Sequence, residues 1–284
     1  LSLSLRLSDG TFDIAPRARD DSFTQLYVVH GIFMGEIFPL VTALLTSKDA
    51  AMYEVLVDEI IRRAGRPTMW ITDLEASIVS LFRRRYPEIQ HRLCLFHLSQ
   101  AVQRQVASRG MKARYEQSRD FRTEIKSLCA LAFVPPDRVL EDFTTLFNTL
   151  SEDAKQIAWY FREFYIDGRR RVGRPRTAPV FAPALWNQHE RVADDLPRTT
   201  NALEGYNHKL SVLFQKHQGI NLFLFQYLRE RRMVMAAMER RVAGGRPKPI
   251  RKETRDKNER IATILADYEN RNLRDFLRGV AYNF

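Results

Sequence analysis

Cysteine is nearly absent from this chain: Cys94 and Cys129 are the only two among 284 residues. Two thiols do not make a disulfide framework, so the fold must rest on a packed core, and a reducing compartment fits. No apolar run reaches the roughly 18 residues of a membrane-crossing helix, so no membrane partner is expected. There is no charged-then-apolar leader. A Gly-rich phosphate loop, a Gly-x-Ser-x-Gly turn and a Ser or Cys nucleophile with a His partner are missing too, which removes several enzyme classes. The chain opens in Leu1-Ser2-Leu3-Ser4-Leu5 without an initiator Met, and so reads as a fragment or excised domain lacking upstream modules. Acids are outnumbered, 34 Asp+Glu against 45 Lys+Arg, for a net charge of +11. Between Gly205 and Phe284 the count is 17 basic against 8 acidic, so +9 of the +11 lies there. Such a stripe favours nucleic acid or an anionic membrane surface; the plainer reading is a solvated helical face.

What is present has the length for a real core and two lobes. Leu1, Leu3, Leu5 and Leu7 alternate with Ser2, Ser4, Arg6 and Ser8, the period of a strand. Residues 25–33 and 37–46 read as a hairpin about Met34-Gly35-Glu36. Ser47-Lys48-Asp49 opens a helix that Gly65-Arg66-Pro67 stops. A buried strand at 68–72, a helix at 73–86 and a strand at 91–95 follow. Three strands and then alternating helix and strand predict an α/β fold with a mixed sheet. Residues 100–166 read as helices broken at Pro135-Pro136, and 167–179 as an exposed basic loop. Helix is expected again over 201–241 and 257–279, with Gly244-Gly245-Arg246-Pro247 between.

Three acids stand where strands or helices should end or begin. Asp9 continues the odd phase of the first strand, where an unpaired acid would be costly; Asp9-Gly10 is equally a turn dipeptide, and Asp13 is a rival acid. Asp73 follows Met69-Trp70-Ile71 at a strand's C-terminal edge, where α/β sheets place ligands. Thr72-Asp73-Leu74-Glu75 also fits a capping box, as does Asn201-Ala202-Leu203-Glu204. Glu204 lies beside the apolar stripe Leu203, Tyr206, Leu210, Leu213 and Phe214, with His208 one turn on. Cys94 and His97 have the spacing of half a zinc site, without a second close pair among Cys129, His91, His189, His208 and His217. A buried thiol with a hydrogen-bonded imidazole is the competing reading. Gly173-Arg174-Pro175-Arg176 and Gly245-Arg246-Pro247-Lys248 could lay Arg into a narrow A/T minor groove, or be basic linkers.

In order along the chain, Asp9-Gly10-Thr11-Phe12 with Ala15-Pro16, the 25–41 hairpin, Thr72-Asp73-Leu74-Glu75-Ala76, Cys94-x2-His97, Trp186-Asn187 and 197–206 resemble the transposases of Mutator-like DNA elements, the MULE family. The resemblance implies an RNase H-like mixed-sheet core with a large, mostly helical insertion and a helical C-terminal region. It implies a DDE triad of Asp9, Asp73 and Glu204 holding two Mg²⁺ or Mn²⁺ ions. The implied activity is metal-dependent strand cleavage and strand transfer on double-stranded DNA, in the nucleus and with a possible homo-oligomer. Cys94, His97 and His208 would lie near the site. Asn207-His208 departs from the many relatives that put His directly after the aromatic residue. Arg174, Arg176, Arg231, Arg232, Arg240, Arg241 and Arg246 are the expected DNA contacts. The implied domains are a core first part over 1–99, an insertion over 100–197, a core-completing helix over 198–243 and a basic tail over 244–284. The alternative is a domesticated, non-cutting DNA-binding regulator. An RNase H-like exonuclease is a weaker third, because it leaves the insertion and Cys94-x2-His97 unexplained.

Overall fold

A computed structural model describes residues 4–17, 23–170, 173–193, 201–247, 249 and 251–283; at 192, 193, 201, 202 and 204 only the backbone is described. Leu1, Leu3 and 197–200 of the motifs above lie outside the described residues. The chain divides into two units, 1–92 with 200–249 and 93–199 with 250–284.

The first unit is built on strands β1 (Leu5–Thr11), β2 (Gln25–Phe33), β3 (Glu36–Leu45), β4 (Met69–Thr72) and β5 (Gln90–Leu93), in the order β3-β2-β1-β4-β5. β1 and β2 pair antiparallel, as do β2 and β3, while β1 and β4 run parallel. The sheet is therefore mixed. Met34 and Gly35, both at positive φ, make the tight turn between β2 and β3.

Helices α1 (Ala50–Ala64) and α2 (Ala76–Arg85) cover one face of the sheet. Tyr53, Leu56, Val57, Ile60, Ile78, Leu81 and Phe82 pack there on Tyr27, Val29 and Trp70. Asp49 caps α1 by accepting from the Met52 amide at 2.8 Å. On the other face, Leu26 and Val28 meet Leu210, Phe214 and Phe223, and Phe33 and Phe38 meet Val234. These residues come from two later helices of the same unit, over residues 201–213 and 220–242.

This double cover corrects the expected alternation of the first strand. Leu5, Arg6, Leu7, Ser8 and Asp9 are all buried, because β1 is a central strand with helices on both faces. Arg6 donates to the Ala64 carbonyl at 3.1 Å, and Ser8 sits between Tyr27 Oη and Trp70 Nε1, each 2.9 Å away. Asp9-Gly10 is not a turn: both residues lie inside β1, opposite Val28 and Tyr27. A Cβ on Gly10 would meet Gln25 Oε1 at 2.5 Å, so the close approach of Gln25 explains the glycine.

The second unit is helical. It comprises α3 (Leu95–Ser108), α4 (Lys112–Gln117), α5 (Arg119–Ala130), α6 (Val139–Thr149), α7 (Glu152–Phe161), α8 (Pro183–Trp186) and α9 (His189–Ala193), with α12 (Lys252–Ala266) and α13 (Leu273–Ala281) from the C-terminal segment. The helices α10 (Asn201–Leu213) and α11 (Ile220–Val242) belong to the first unit. A π-helical turn, Arg162–Ile166, follows α7 directly. α13 lies on α5 and α6, with Phe276, Leu277 and Val280 buried.

Three expected elements are shorter. The strand expected to reach residue 95 stops at Leu93, and α3 begins at Leu95. The 201–241 helix is two helices: His217 at φ 51 and Gly219 break it, and Arg17 N–H donates to the Gln218 carbonyl at 2.8 Å. The 257–279 helix is likewise two, with Arg271 extended between a 3-10 turn (Tyr268–Asn270) and α13, which Asn272 caps.

Candidate active site

The two early acids are brought together by strand pairing. β1 and β4 pair in parallel as Leu5 with Met69, Arg6 with Trp70 and Leu7 with Ile71. Continued by two residues, that register sets position 9, two residues before the end of β1, level with position 73, the first residue past β4. Adjacent strands lie about 4.8 Å apart. Buried Tyr27, on β2, responds to both acids: its phenol is pushed well above its ordinary pKa, first by burial, then by the charge of Asp73, with a smaller contribution from Asp9.

Asp9 is only 6% exposed, so its charge needs partners. Gly10 N–H donates to Oδ1 at 2.9 Å, and Asn207 Nδ2 donates to Oδ2 at 2.8 Å. Asn207 thereby has a role that the sequence left open: it ties α10 to the acid on β1. Asp13, the rival acid, is exposed and paired with Lys216 at 2.8 Å. Glu204 is a helical residue of α10, three positions before Asn207, and its side chain lies outside the described residues.

The capping box expected at Thr72–Glu75 does not form. α2 starts only at Ala76, with Glu75 as its N-cap residue and no side-chain cap bond. Thr72 Oγ1 instead donates to the Asp73 carbonyl and lies 2.9 Å from His91 Nε2. Burial, and secondarily Arg92, lowers the His91 pKa to about 3, so the ring is neutral. One hydroxyl proton serves one acceptor, so the network assigns the ring N–H to Nε2, donating to Thr72. His91 is stacked on Phe82 at 4.4 Å, which fixes that donor. Glu75 accepts a hydrogen bond from the Tyr53 hydroxyl, and Tyr53 Oη in turn accepts from Gln25 Nε2 at 3.1 Å. Gln25, Tyr53, His91 and Glu75 thus frame the turn that carries Asp73. Apart from Glu75, none carried a motif that would have singled it out for this place.

The remaining expected site residues are distributed as follows. Cys94 is the buried N-cap residue of α3, and His97 stands three residues on, half-buried beside the Phe96 ring. Among the described residues, no three His, Cys, Asp or Glu side chains are grouped to hold a metal ion. His208 is exposed. On α11, Arg231 donates to the Pro39 carbonyl at 3.0 Å, and Arg241 pairs with Glu36 at 2.8 Å and donates to the Met34 carbonyl at 2.6 Å. These two arginines fasten the helix to the β2–β3 hairpin. Arg232, Arg240 and Arg246 are exposed, as is Arg174 in the second unit, while Arg176 pairs with Asp167.

Residues 8–101 match the family model of the MULE transposase domain. The chain carries a MULE transposase domain. The matched stretch of this domain holds Asp9, Asp73, Cys94 and His97 and ends well before Glu204. A MULE transposase domain points to transposase function. No curated protein gives a significant match to the chain.

Proposed function

We propose that the chain is the catalytic domain of a DNA transposase of the DDE type, built on an RNase H-like core and acting on double-stranded DNA in the nucleus. The observation that carries this reading is the parallel pairing of β1 and β4, Leu7 opposite Ile71, a register that carried on by two residues brings Asp9 beside Asp73. The strand order β3-β2-β1-β4-β5, with three antiparallel strands followed by a parallel one, supports the fold assignment.

Two carboxylates on neighbouring strands repel one another, and a bound cation would offset that repulsion. Their donors are oxygens only, which fits Mg²⁺ or Mn²⁺ better than zinc. Position 204 supplies the third acid: it precedes Asn207 by three residues, and positions three apart are neighbours on a helix surface. When bound, a pair of such ions supplies activation of the attacking oxygen and charge stabilisation of the leaving one in an in-line displacement.

The chain's own residues do the positioning. Asn207 holds one oxygen of Asp9 and the Gly10 amide holds the other. His91, through Thr72, fixes the Asp73 carbonyl and so the backbone carrying the second acid. The exposed arginines Arg232, Arg240 and Arg246 are the candidates for phosphate contacts.

The test is a nicking and strand-transfer assay on DNA containing element ends, with and without Mg²⁺. Asp73→Asn should abolish cleavage while DNA affinity stays equal or rises, since a negative charge near phosphate is removed. Cleavage by the variant equal to wild type would overturn the assignment of Asp73. A domesticated DNA-binding regulator, the alternative, binds DNA without cutting in either form.

A further inference from the structure

Helix α11 carries more apolar surface than its place on the sheet uses. One side is closed: Phe223 and Val234 are buried, with Tyr227, Ala237 and Met238 half-buried beside them. A second apolar stripe faces water. Leu224, Phe225, Leu228, Met235 and Val242 are each between 46% and 69% exposed. Leu228, Met235 and Val242 recur every seven residues, a spacing that keeps side chains in line along a helix. Leu224 and Phe225 stand four and three residues before Leu228 and so extend the same stripe.

These five side chains expose on the order of 500 Å² of apolar surface, a patch of the size that marks interaction sites on soluble proteins. With the polar residues beside it, the stripe comes near the roughly 800 Å² that each partner gives to a standard interface. Two of those polar residues carry opposite charges. Arg232 and Glu239 lie on one flank of the stripe, seven residues apart. Both are exposed, and neither makes an ion pair among the described residues.

We infer that this stripe is the contact face for a second copy of the chain, laid antiparallel on α11 about a two-fold axis at Met235. In that pairing Met235 meets its own equivalent, and Leu228 of each copy meets Val242 of the other. Positions 232 and 239 stand almost symmetrically about 235. Arg232 of each copy therefore comes opposite Glu239 of the other, and the axis repeats the pair. A parallel pairing would set Arg232 against Arg232 and Glu239 against Glu239, where like charges repel. The charges thus favour this chain as its own partner and choose the antiparallel sense. Of the arginines offered to phosphate above, Arg232 is the one this pairing would claim. Arg240 projects about 140° round the helix from Met235 and stays open to phosphate. Nothing in the pairing involves DNA, so it stands or falls apart from the transposase reading.

Sedimentation equilibrium of the whole chain without DNA, from about 1 to 100 µM, reads this association directly. Wild type should show a monomer–dimer equilibrium within that range. Leu228→Gln with Met235→Gln should raise the dimer Kd about a hundredfold or more, since each loss counts twice across a two-fold axis. Both side chains are more than half exposed, so thermal unfolding of the monomer should not change. Arg232→Glu alone and Glu239→Arg alone should each weaken the dimer about tenfold or more. Mixed in equal amounts, these two variants should associate with each other as tightly as wild type does with itself. Both exchanges in one chain should restore the wild-type Kd. A stripe made for some other partner would leave the chain monomeric throughout the range and overturn the inference. A dimer indifferent to Leu228→Gln with Met235→Gln, or to the single charge exchanges, would overturn it too. Single exchanges that the double exchange does not rescue would refute the antiparallel pairing.

Discussion

Replacing Asn207 by Ala removes the donor that holds Asp9 Oδ2 at 2.8 Å. Asp9 keeps the Gly10 amide but has almost no access to water, at 6% exposure. A hydrogen bond to a charged, buried group contributes about 1.5–3 kcal/mol, against about 1 kcal/mol for a neutral pair. Asn207→Ala should therefore destabilise the first unit by about 1.5–3 kcal/mol in the wild-type background. In an Asp9→Asn background the same change should cost about 1 kcal/mol or less, so the double-mutant cycle should return a coupling of about 1–2 kcal/mol. Asp9→Asn alone should be close to neutral or stabilising in metal-free protein, because it removes a buried charge, while it abolishes cleavage. Native-state hydrogen exchange on peptides from β1 and α10 reads these opening free energies in the unit concerned. Equal costs of Asn207→Ala in the two backgrounds, within about 0.5 kcal/mol, would show that the two residues are not coupled and would refute the reasoning.

Two further outcomes follow from buried side chains. Burial depresses the pKa values of His30 and His91 from 6.5 to about 3, so the unfolded chain binds protons there that the folded chain does not. Between about pH 6.5 and 3, stability should fall with falling pH at about 1.4 kcal/mol per unit for each histidine; urea unfolding at several pH values checks this, and a flat profile across the window would contradict it. Burial also pushes the Cys129 thiol up to about 12, so at pH 8 it should react with a soluble disulfide reagent far more slowly than a free thiol, and at the free-thiol rate only in denaturant.

The mixed sheet, the β2–β3 hairpin and the placement of Asp73 just past β4 were legible in the sequence, because apolar runs and turn dipeptides report on nearest neighbours. The faces of β1 were not. Leu5 and Leu7 alternate with Arg6 and Ser8 as in a half-buried strand, yet the polar pair is also buried, satisfied by Ala64, Tyr27 and Trp70. Only distant partners could reveal that. The capping box at Thr72 was a valid local pattern that lost to His91 and Tyr53, which arrive from other elements. Asn207 looked like a departure from a motif; its role depends on α10 lying against β1, a contact across about 200 residues of chain that no local pattern encodes.

The two-sided cover of the sheet also sets a schedule for the growing chain. One face of the strands is closed by α1 and α2, which follow them directly, whereas the other waits for Leu210, Phe214, Phe223 and Val234. The whole of 93–199 must be synthesised first. At about 5–20 residues per second, Leu26, Val28, Phe33 and Phe38 stand bare on the ribosome for about 10–40 s before Val234 is made. During that time the nascent sheet is a target for chaperones and for its own kind. A piece ending near residue 101, the stretch that matches the family model, keeps that bare face permanently.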